Sequence, residues 1–421
     1  MRDIALTLII LVIIPFIFKR PYIGLLAWAW LGYMNPHRLT WGFAFSAPFV
    51  AIIAAITIVS MFFSKEKKSF PVNSLVITWL LFIIWSCFVT YWFALNPSSA
   101  DFEFDRFTKI QVMIFCTLLL INSKEKLIYL VWVIALSIGF FGIKGGVFAF
   151  ATGFNYQVKG PAGTFIGGNN ELAMALLMVI PLFYFLFTVT KHKYVRWSLL
   201  AFMALCFFSV IASYSRGAFL GMVVMSAFLW WGSKHKAMIG GVAVVLFFAS
   251  IPFIPAKWYD RMNTIETYQQ DESAQQRLNT WGMAINIAND RVLGGGFKPF
   301  SKKTYLLYAE KPEWVFDAHS IYFEVLASQG YVGIILFLIM LFLVFIYAQK
   351  IKWKTRKNKD LKWMANLANM VQVSFIAYMV AGAFLGMAYF DLPYHLMSIV
   401  IILNVMYKKH IEEKETNGAA T

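Results

Sequence analysis

A few side chains in this sequence sit where their chemistry is either costly or useful. Arg216 stands in the middle of "CFFSVIASYSRGAFLGMVVMSAFLWWG" (206–232), a run otherwise almost wholly apolar. A charge at the centre of a bilayer costs roughly 2.5–3.5 kcal/mol on insertion scales. Either the chain turns at Arg216 or the guanidinium is buried for a purpose. Arginine offers a fixed fork of donors that suits phosphate and carboxylate groups. Arg277 lies near the start of "ESAQQRLNTWGMAINIAND" (272–290), and His319 just ahead of the apolar part of "VFDAHSIYFEVLASQGYVGIILFLIM" (315–340). A neutral imidazole near pH 7 can take a proton from a reacting group. Glu324 follows His319 by one and a half helical turns, and an ionisable group within a membrane helix is a functional candidate by default. Each residue also has a plainer reading: snorkelling for Arg216, a solvated helical charge for Arg277, a structural interfacial histidine for His319.

Two further stretches could bind charge. "KGPAGTFIGGNNELAMAL" (159–176) is a glycine-rich loop feeding a helix that starts near Asn169 or Asn170. Backbone N–H groups at such a start suit anions. "DFEFDRF" (101–107) spaces Asp101, Glu103 and Asp105 alternately. Carboxylates so placed can hold a divalent metal, or can simply form an acidic loop. No second histidine or cysteine has metal-ligand spacing with His319, so no zinc site is expected. Arg291, beside three glycines in "NDRVLGGG" (289–296), and Lys302 are further candidates for substrate contact.

These residues need a scaffold, and composition defines it. The 421-residue chain is 60% hydrophobic and only 14% charged, against about 25% charged in soluble domains. Apolar runs of about 20 residues, the length that crosses a hydrocarbon core of about 30 Å, recur along it. The alternation of a transmembrane barrel is absent. We read an all-α polytopic membrane protein, a single integral membrane domain over 1–421. The runs are 4–18, 22–34, 44–63, 74–95, 107–121, 127–150, 171–189, 195–213, 217–231, 237–255, 319–347, 366–389 and 393–407. The second is short and could pair with the first as a hairpin or lie partly in the interface, so 12 or 13 spans are expected. "ALTLIILVIIPFIF" (5–18) lacks a small-residue cleavage site and reads as the first helix. Cys87, Cys116 and Cys206 all fall inside apolar runs, where they serve as small core residues. No dinucleotide fingerprint is present, and no cofactor is expected.

Charge sets the topology. "SKEKKSF" (64–70), "NSKEK" (122–126), "TKHKYVR" (190–196), "GSKHK" (232–236) and "QKIKWKTRKNKDLK" (349–362) are basic, whereas the loops between them are acidic or near neutral. With Lys19 and Arg20, the basic loops carry essentially the whole net charge of +16. Lys and Arg concentrate in cytoplasmic loops, so the charge is a topology signal that needs no nucleic-acid partner. The C-terminal tail falls in the cytoplasm. Two crossings must fit between the basic loops at 190–196 and 232–236, which makes Ser213–Gly217 a tight outer turn with Arg216 at the membrane boundary. One loop is long, 256–318, and long loops are commonly functional. Leu278, Trp281, Ala284, Ile285 and Ala288 have the 3–4 spacing of an amphipathic helix that could lie on the membrane. Asp317 or Ser320 could cap the next helix.

An "SRGAxxG" turn, an outer loop holding "R-x-x-x-W-x-x-A" and then "GGGF", and "HSIYFEVLASQGYVGI" at the next helix resemble the O-antigen ligase and polymerase superfamily over roughly 160–405. "GYMNPHRLTWGFAFSAPF" (32–49) is similar, more narrowly, to O-glycosylation ligases associated with exosortase systems. The resemblance implies a GT-C-like glycosyltransferase of the bacterial inner membrane, with amphipathic helices in the long periplasmic loop. It would move a glycan from undecaprenyl diphosphate to an acceptor in the periplasm, in ligases a sugar of the lipid A core. The positions matching the family's functional residues are Arg216, Arg277 and His319: arginines at the donor diphosphate, a histidine in transfer, and no metal. A polymerase or a protein O-oligosaccharyltransferase differs mainly in its acceptor. A lipid-linked glycan transporter would show paired repeats and broken helices at the midplane, and no convincing repeat is present.

Overall fold

The computed structural model describes residues 1–66, 68–232, 236 and 272–418. The expected span 237–255, residues 256–271 of the long loop and residues 233–235 of a basic loop lie outside the described residues. Every described element is helical: α1 (Arg2–Lys19), α2 (Pro21–Met34), α3 (Phe49–Phe63), α4 (Ser74–Phe93), α5 (Pro97–Leu120), α6 (Lys124–Ala151), α7 (Asn169–Val189), α8 (Lys193–Ala212), α9 (Arg216–Gly232), α10 (Glu272–Asp290), α11 (Lys302–Tyr308), α12 (Ile321–Thr355), α13 (Lys362–Gly382) and α14 (Asp391–Gly418), with short 3-10 turns at Pro36–Leu39 and Phe43–Phe45. Six of them, α4, α6, α7, α8, α12 and α13, are long and apolar enough to cross a membrane, and α3 and α9 are shorter apolar helices. This is a multi-pass helical membrane protein.

α13 is the hub. It packs against α7, α9 and α12, while α6 and α7 both pack on α8, α4 lies along α12, and α14 contacts α5 and α12. Glycines permit the closest approaches. A Cβ on Gly217 of α9 would meet Phe384 Cβ at 3.1 Å, and one on Gly221 would meet Ala381 Cβ at 3.2 Å. Small residues of this kind let membrane helices come together.

The two ends of the bundle differ in character. At one end Lys126 pairs with Glu66 at 2.8 Å, Lys352 donates to Asn369 at 2.6 Å, Lys124 lies over Trp363, and Lys354 over Tyr407. Those residues come from the basic loops and the helix ends beside them. The opposite end gathers Asn96, Gly295, Ser213 and the 154–169 loop. α1 and α2 pack on each other as the hairpin foreseen as one option, and the start of α1 is tied to the segment after α2: Arg2 reaches Leu39 O, and Asp3 accepts the N–H groups of Gly42 and Ala44, both at 3.0 Å.

Four details depart from the sequence reading. Residues 97–106 are not a loop but the first turns of α5, which start at Pro97, a residue preorganised for the first helical position. The run 366–389 is helical only to Gly382, and 383–390 is an irregular connector. α10 has the expected span, but its buried face is Thr280, Met283, Ala284, Ile287 and Ala288, while Leu278 and Ile285 are 47% and 40% exposed. The helix packs on α12 and α11, and that contact selects the face. Ser320 occupies the N-cap position of α12 without a capping hydrogen bond.

α12 itself is broken. Gly330 has φ 64° and ψ −165° inside it. The carbonyls freed by the break are taken up by the glycines at 294–296. Gly295 and Gly296 donate to Ala327 and Ser328 at 2.9 Å, Trp85 Nε1 donates to Gln329 O at 2.8 Å, and Tyr331 N donates to Val292 O at 3.0 Å. Irregular backbone at membrane depth is tolerated when protein satisfies it in this way. A Cβ on Gly294 or Gly330 would overlap the other's backbone. The glycine triplet and "SQGYVG" are therefore two halves of one joint, which fixes the short first segment of α12 and its leading residue, His319.

Candidate active site

The turn that carries Arg216 is pinned from several directions. α8 ends at Ala212, and Tyr214 takes a left-handed φ of 56°. Ser213 Oγ donates to Val210 O at 2.6 Å and accepts from Ser215 N at 3.2 Å, and Ser215 Oγ accepts from Ala218 N at 3.3 Å, capping α9. Ser213 O accepts from Gln157 and Asn169, and the Tyr214 hydroxyl donates to Phe154 O. Arg216 is thus the first residue of α9, as the tight turn demanded. A cation at a helix N-terminus opposes the macrodipole, by about 0.3–1 kcal/mol at exposed sites. Helix stability does not favour arginine here, whereas an arriving anion would be attracted by both charge and dipole.

Arg216 and Arg277 line one cleft. Its walls are Asn170, Tyr214, Ser215, Gly217, Ala218, Ala381, Phe384 and Leu385. The N-termini of α7, through Asn170, and of α9, through Arg216, both reach it. Arg277 comes from α10. A small satellite core holds that helix in place: Met283, Ala284 and Ile287 pack with Tyr305 of α11 and Ala327 of α12. Tyr305 OH meets Thr280 at 2.6 Å and donates to Phe316 O at 2.7 Å, which also ties down the strand of chain that leads to His319.

His319 is half-buried at the entry to α12, with a left-handed φ of 45°. Trp281 of α10 fixes its neighbour, donating Nε1 to Ala318 O at 2.8 Å and stacking on Phe323 at 4.8 Å. Burial lowers the His319 pKa below 6.5, the positive charge of Arg277 lowers it further, and Asp317 opposes both. The charge of Arg277 thus acts on the imidazole, although His319 is not itself among the residues that line the cleft. A histidine so held is neutral at pH 7 and able to accept a proton.

Three of the other expected contacts are distributed differently. Asn170 lines the cleft; Arg291 and Lys302 do not. Arg291 donates Nη2 to Phe93 O at 2.9 Å, joining the end of α10 to the end of α4. Lys302 is exposed on α11. In the acidic stretch, Glu103 pairs with Lys298 at 2.8 Å and with Arg106 at 3.8 Å, and Asp105 with Lys109 at 2.5 Å. Among the described residues no group of three or more His, Cys, Asp or Glu side chains could hold a metal ion.

Sequence reasoning missed Glu171 and the connector. Glu171, third in α7, folds back over its N-cap Gly168 so closely that a Cβ there would overlap the carboxylate. The spacing of a capping box, with glycine at the cap, was the available signal. Phe384 and Leu385 were hidden because an apolar connector has the hydropathy of a span.

The fold and cleft define a polytopic membrane protein with a cationic pocket at one end of its helix bundle. Residues 201–338 match the family described as O-antigen ligase, which supports the O-antigen ligase and polymerase superfamily. That segment contains Arg216, Arg277 and His319. Its members are glycosyltransferase-like enzymes acting on a lipid-linked glycan and an acceptor. Residues 1–194 match a family of unknown function (DUF5935). No curated protein matches the chain.

Proposed function

We propose that this protein is an O-antigen ligase that moves a glycan from undecaprenyl diphosphate to a sugar hydroxyl of the lipid A core on the periplasmic face of the bacterial inner membrane. The observation that carries the reading is the convergence of Arg216 and Arg277 on one cleft, with His319 in the field of Arg277. By the positive-inside rule the basic end of the bundle is cytoplasmic and the cleft end periplasmic. The acceptor oxygen bonds to the anomeric carbon while the bond from that carbon to the diphosphate breaks. His319 takes the hydroxyl proton, and undecaprenyl diphosphate leaves with the electron pair. Charge grows on the diphosphate as that bond breaks, and preorganised donors aimed at developing charge are worth about 10²–10³ in rate each. The two arginines and the N-terminus of α9 supply them. Because Glu103 and Asp105 are already paired with lysines, the arginines rather than a metal at the acidic stretch serve the leaving group.

An O-antigen polymerase or a protein O-oligosaccharyltransferase would use the same donor site, and the exosortase-type N-terminal motif gives the protein acceptor its place in the test. A transporter is less favoured, since the polar cleft lies at one end of the bundle. The experiment is transfer by purified protein in proteoliposomes, with donor lipid and, in separate arms, lipid A core, a second donor lipid or a pilin-like protein. Product in the lipid A core arm, persisting in EDTA, supports the ligase. Product only in another arm reassigns the acceptor, and loss in EDTA restored by magnesium or manganese moves the chemistry to the acidic stretch.

A further inference from the structure

The first segment of α12, residues 321–329, is bounded by the left-handed His319 and by the break at Gly330. Polar side chains bind this block to α13 and to the connector that follows it. Tyr322 OH donates to Met379 O at 3.0 Å, Ser328 Oγ meets Tyr389 OH at 2.5 Å, and Glu324 Oε2 accepts the N–H of Ala388 at 2.9 Å. Gly386 permits the approach. A Cβ there would stand 3.5 Å from His319 N, 3.8 Å from His319 Cα and 3.6 Å from Glu324 Oε2. The connector therefore passes directly against both the backbone of the histidine and the carboxylate.

The same connector supplies Phe384 and Leu385 to the arginine cleft. One short stretch of chain is thus a wall of the donor pocket and the surface on which His319 rests. The 383–390 connector is not a regular helix; local backbone bonds turn it, and side chains of neighbouring helices anchor it, Tyr378 OH on Met387 O at 3.2 Å, Tyr394 OH on Ala388 O at 3.0 Å and Glu324 on the Ala388 N–H. Glu324 offers a carboxyl oxygen to the Ala388 N–H at 2.9 Å, two residues from Gly386.

We propose that Glu324 is a positioning residue for His319. Its carboxylate holds the 386–388 backbone, and that backbone sets the placement of the imidazole relative to the arginine cleft. The inference rests on the reading of His319 as the base. Glu324 takes no proton in the reaction; its role is to accept the Ala388 N–H.

The test uses full-length protein in proteoliposomes with donor lipid and acceptor, comparing wild type, Glu324→Gln and Glu324→Ala, with hydrogen exchange read at the Ala388 amide. Misplacing a reacting group by about 1 Å costs roughly 100-fold. Glu324→Ala is therefore expected to lose about that factor in kcat while its KM for donor stays within about threefold, and the Ala388 amide should exchange faster. Glu324→Gln keeps an acceptor oxygen, so it should retain kcat within about tenfold of wild type with Ala388 protected. Glu324→Gln as inactive as Glu324→Ala with Ala388 still protected would mean that the carboxylate does chemistry itself, which overturns the proposal. A wild-type rate in Glu324→Ala overturns it too, and leaves the functional reading standing. Absence of transfer by wild type in every acceptor arm overturns that reading and this inference together.

Discussion

Two charged regions lie at the same end of this bundle and have opposite fates. Around Arg216 and Arg277, cations from two different helices face a common cleft beside helix N-termini. Around Asp101–Asp105, on the first turns of α5, carboxylates are answered by lysine and arginine neighbours, and the Asp105–Lys109 pair is largely open to solvent. Both regions are charged residues next to apolar runs, so in the sequence they look alike. The difference lies in who the neighbours are. Charges paired along a helix surface serve the fold; two cations that separate helices bring to one cleft are, in the function proposed above, placed to meet an anion that enters it.

The sharpest way to break this contrast is to remove the cations of the cleft. Arg216→Ala and Arg277→Ala should each lower transfer by about 10²–10³-fold, the usual loss for one donor to a developing negative charge, while the protein still inserts. Lysine should restore little, since it lacks the planar fork. His319→Ala comes next. It should lose about 10²–10⁴-fold, the contribution of a positioned general base, yet still bind the donor lipid because the arginines remain. A comparable loss of donor binding would make His319 part of the diphosphate site instead.

A finer effect is the pH dependence. Burial and Arg277 hold the His319 pKa below 6.5. The neutral, proton-accepting form therefore persists at pH 7, and kcat/KM should fall as pH drops through a value below 6.5. Asp317 raises that pKa, so Asp317→Asn should move the acid limb to still lower pH. A limb moving upward would contradict the arrangement.

The smallest effects belong to the acidic stretch. An exposed ion pair contributes about 0–1 kcal/mol, so Asp105→Ala should leave the rate within about twofold of wild type. Glu103→Gln, which frees Lys298, should act on stability more than on rate, with a thermal shift of a few degrees. A large rate loss in either variant would erase the distinction between the two regions.

Much of this was legible in the residues. Twelve of the thirteen apolar runs fall on described helices, because each buries its own backbone and reads as hydropathy alone. The turn at Arg216 followed from counting crossings between basic loops. What hydropathy cannot carry is irregular backbone buried in protein. The break at Gly330, the glycine triplet that repairs it and the 383–390 connector all look like span or loop in sequence, because the partners that fix them, backbone for the glycines and the Glu324 and Ser328 side chains for the connector, lie tens of positions away. Arg291 shows the same limit. Its partner is the carbonyl of Phe93, nearly two hundred residues earlier.

The most direct measurement is single-turnover transfer in proteoliposomes with undecaprenyl-diphosphate-linked glycan and lipid A core acceptor, wild type against Arg216→Ala. The account predicts product from the wild type and a rate at least about 100-fold lower in the variant at matched protein and donor. A variant that transfers at close to the wild-type rate would return Arg216 to a snorkelling charge and contradict the central claim.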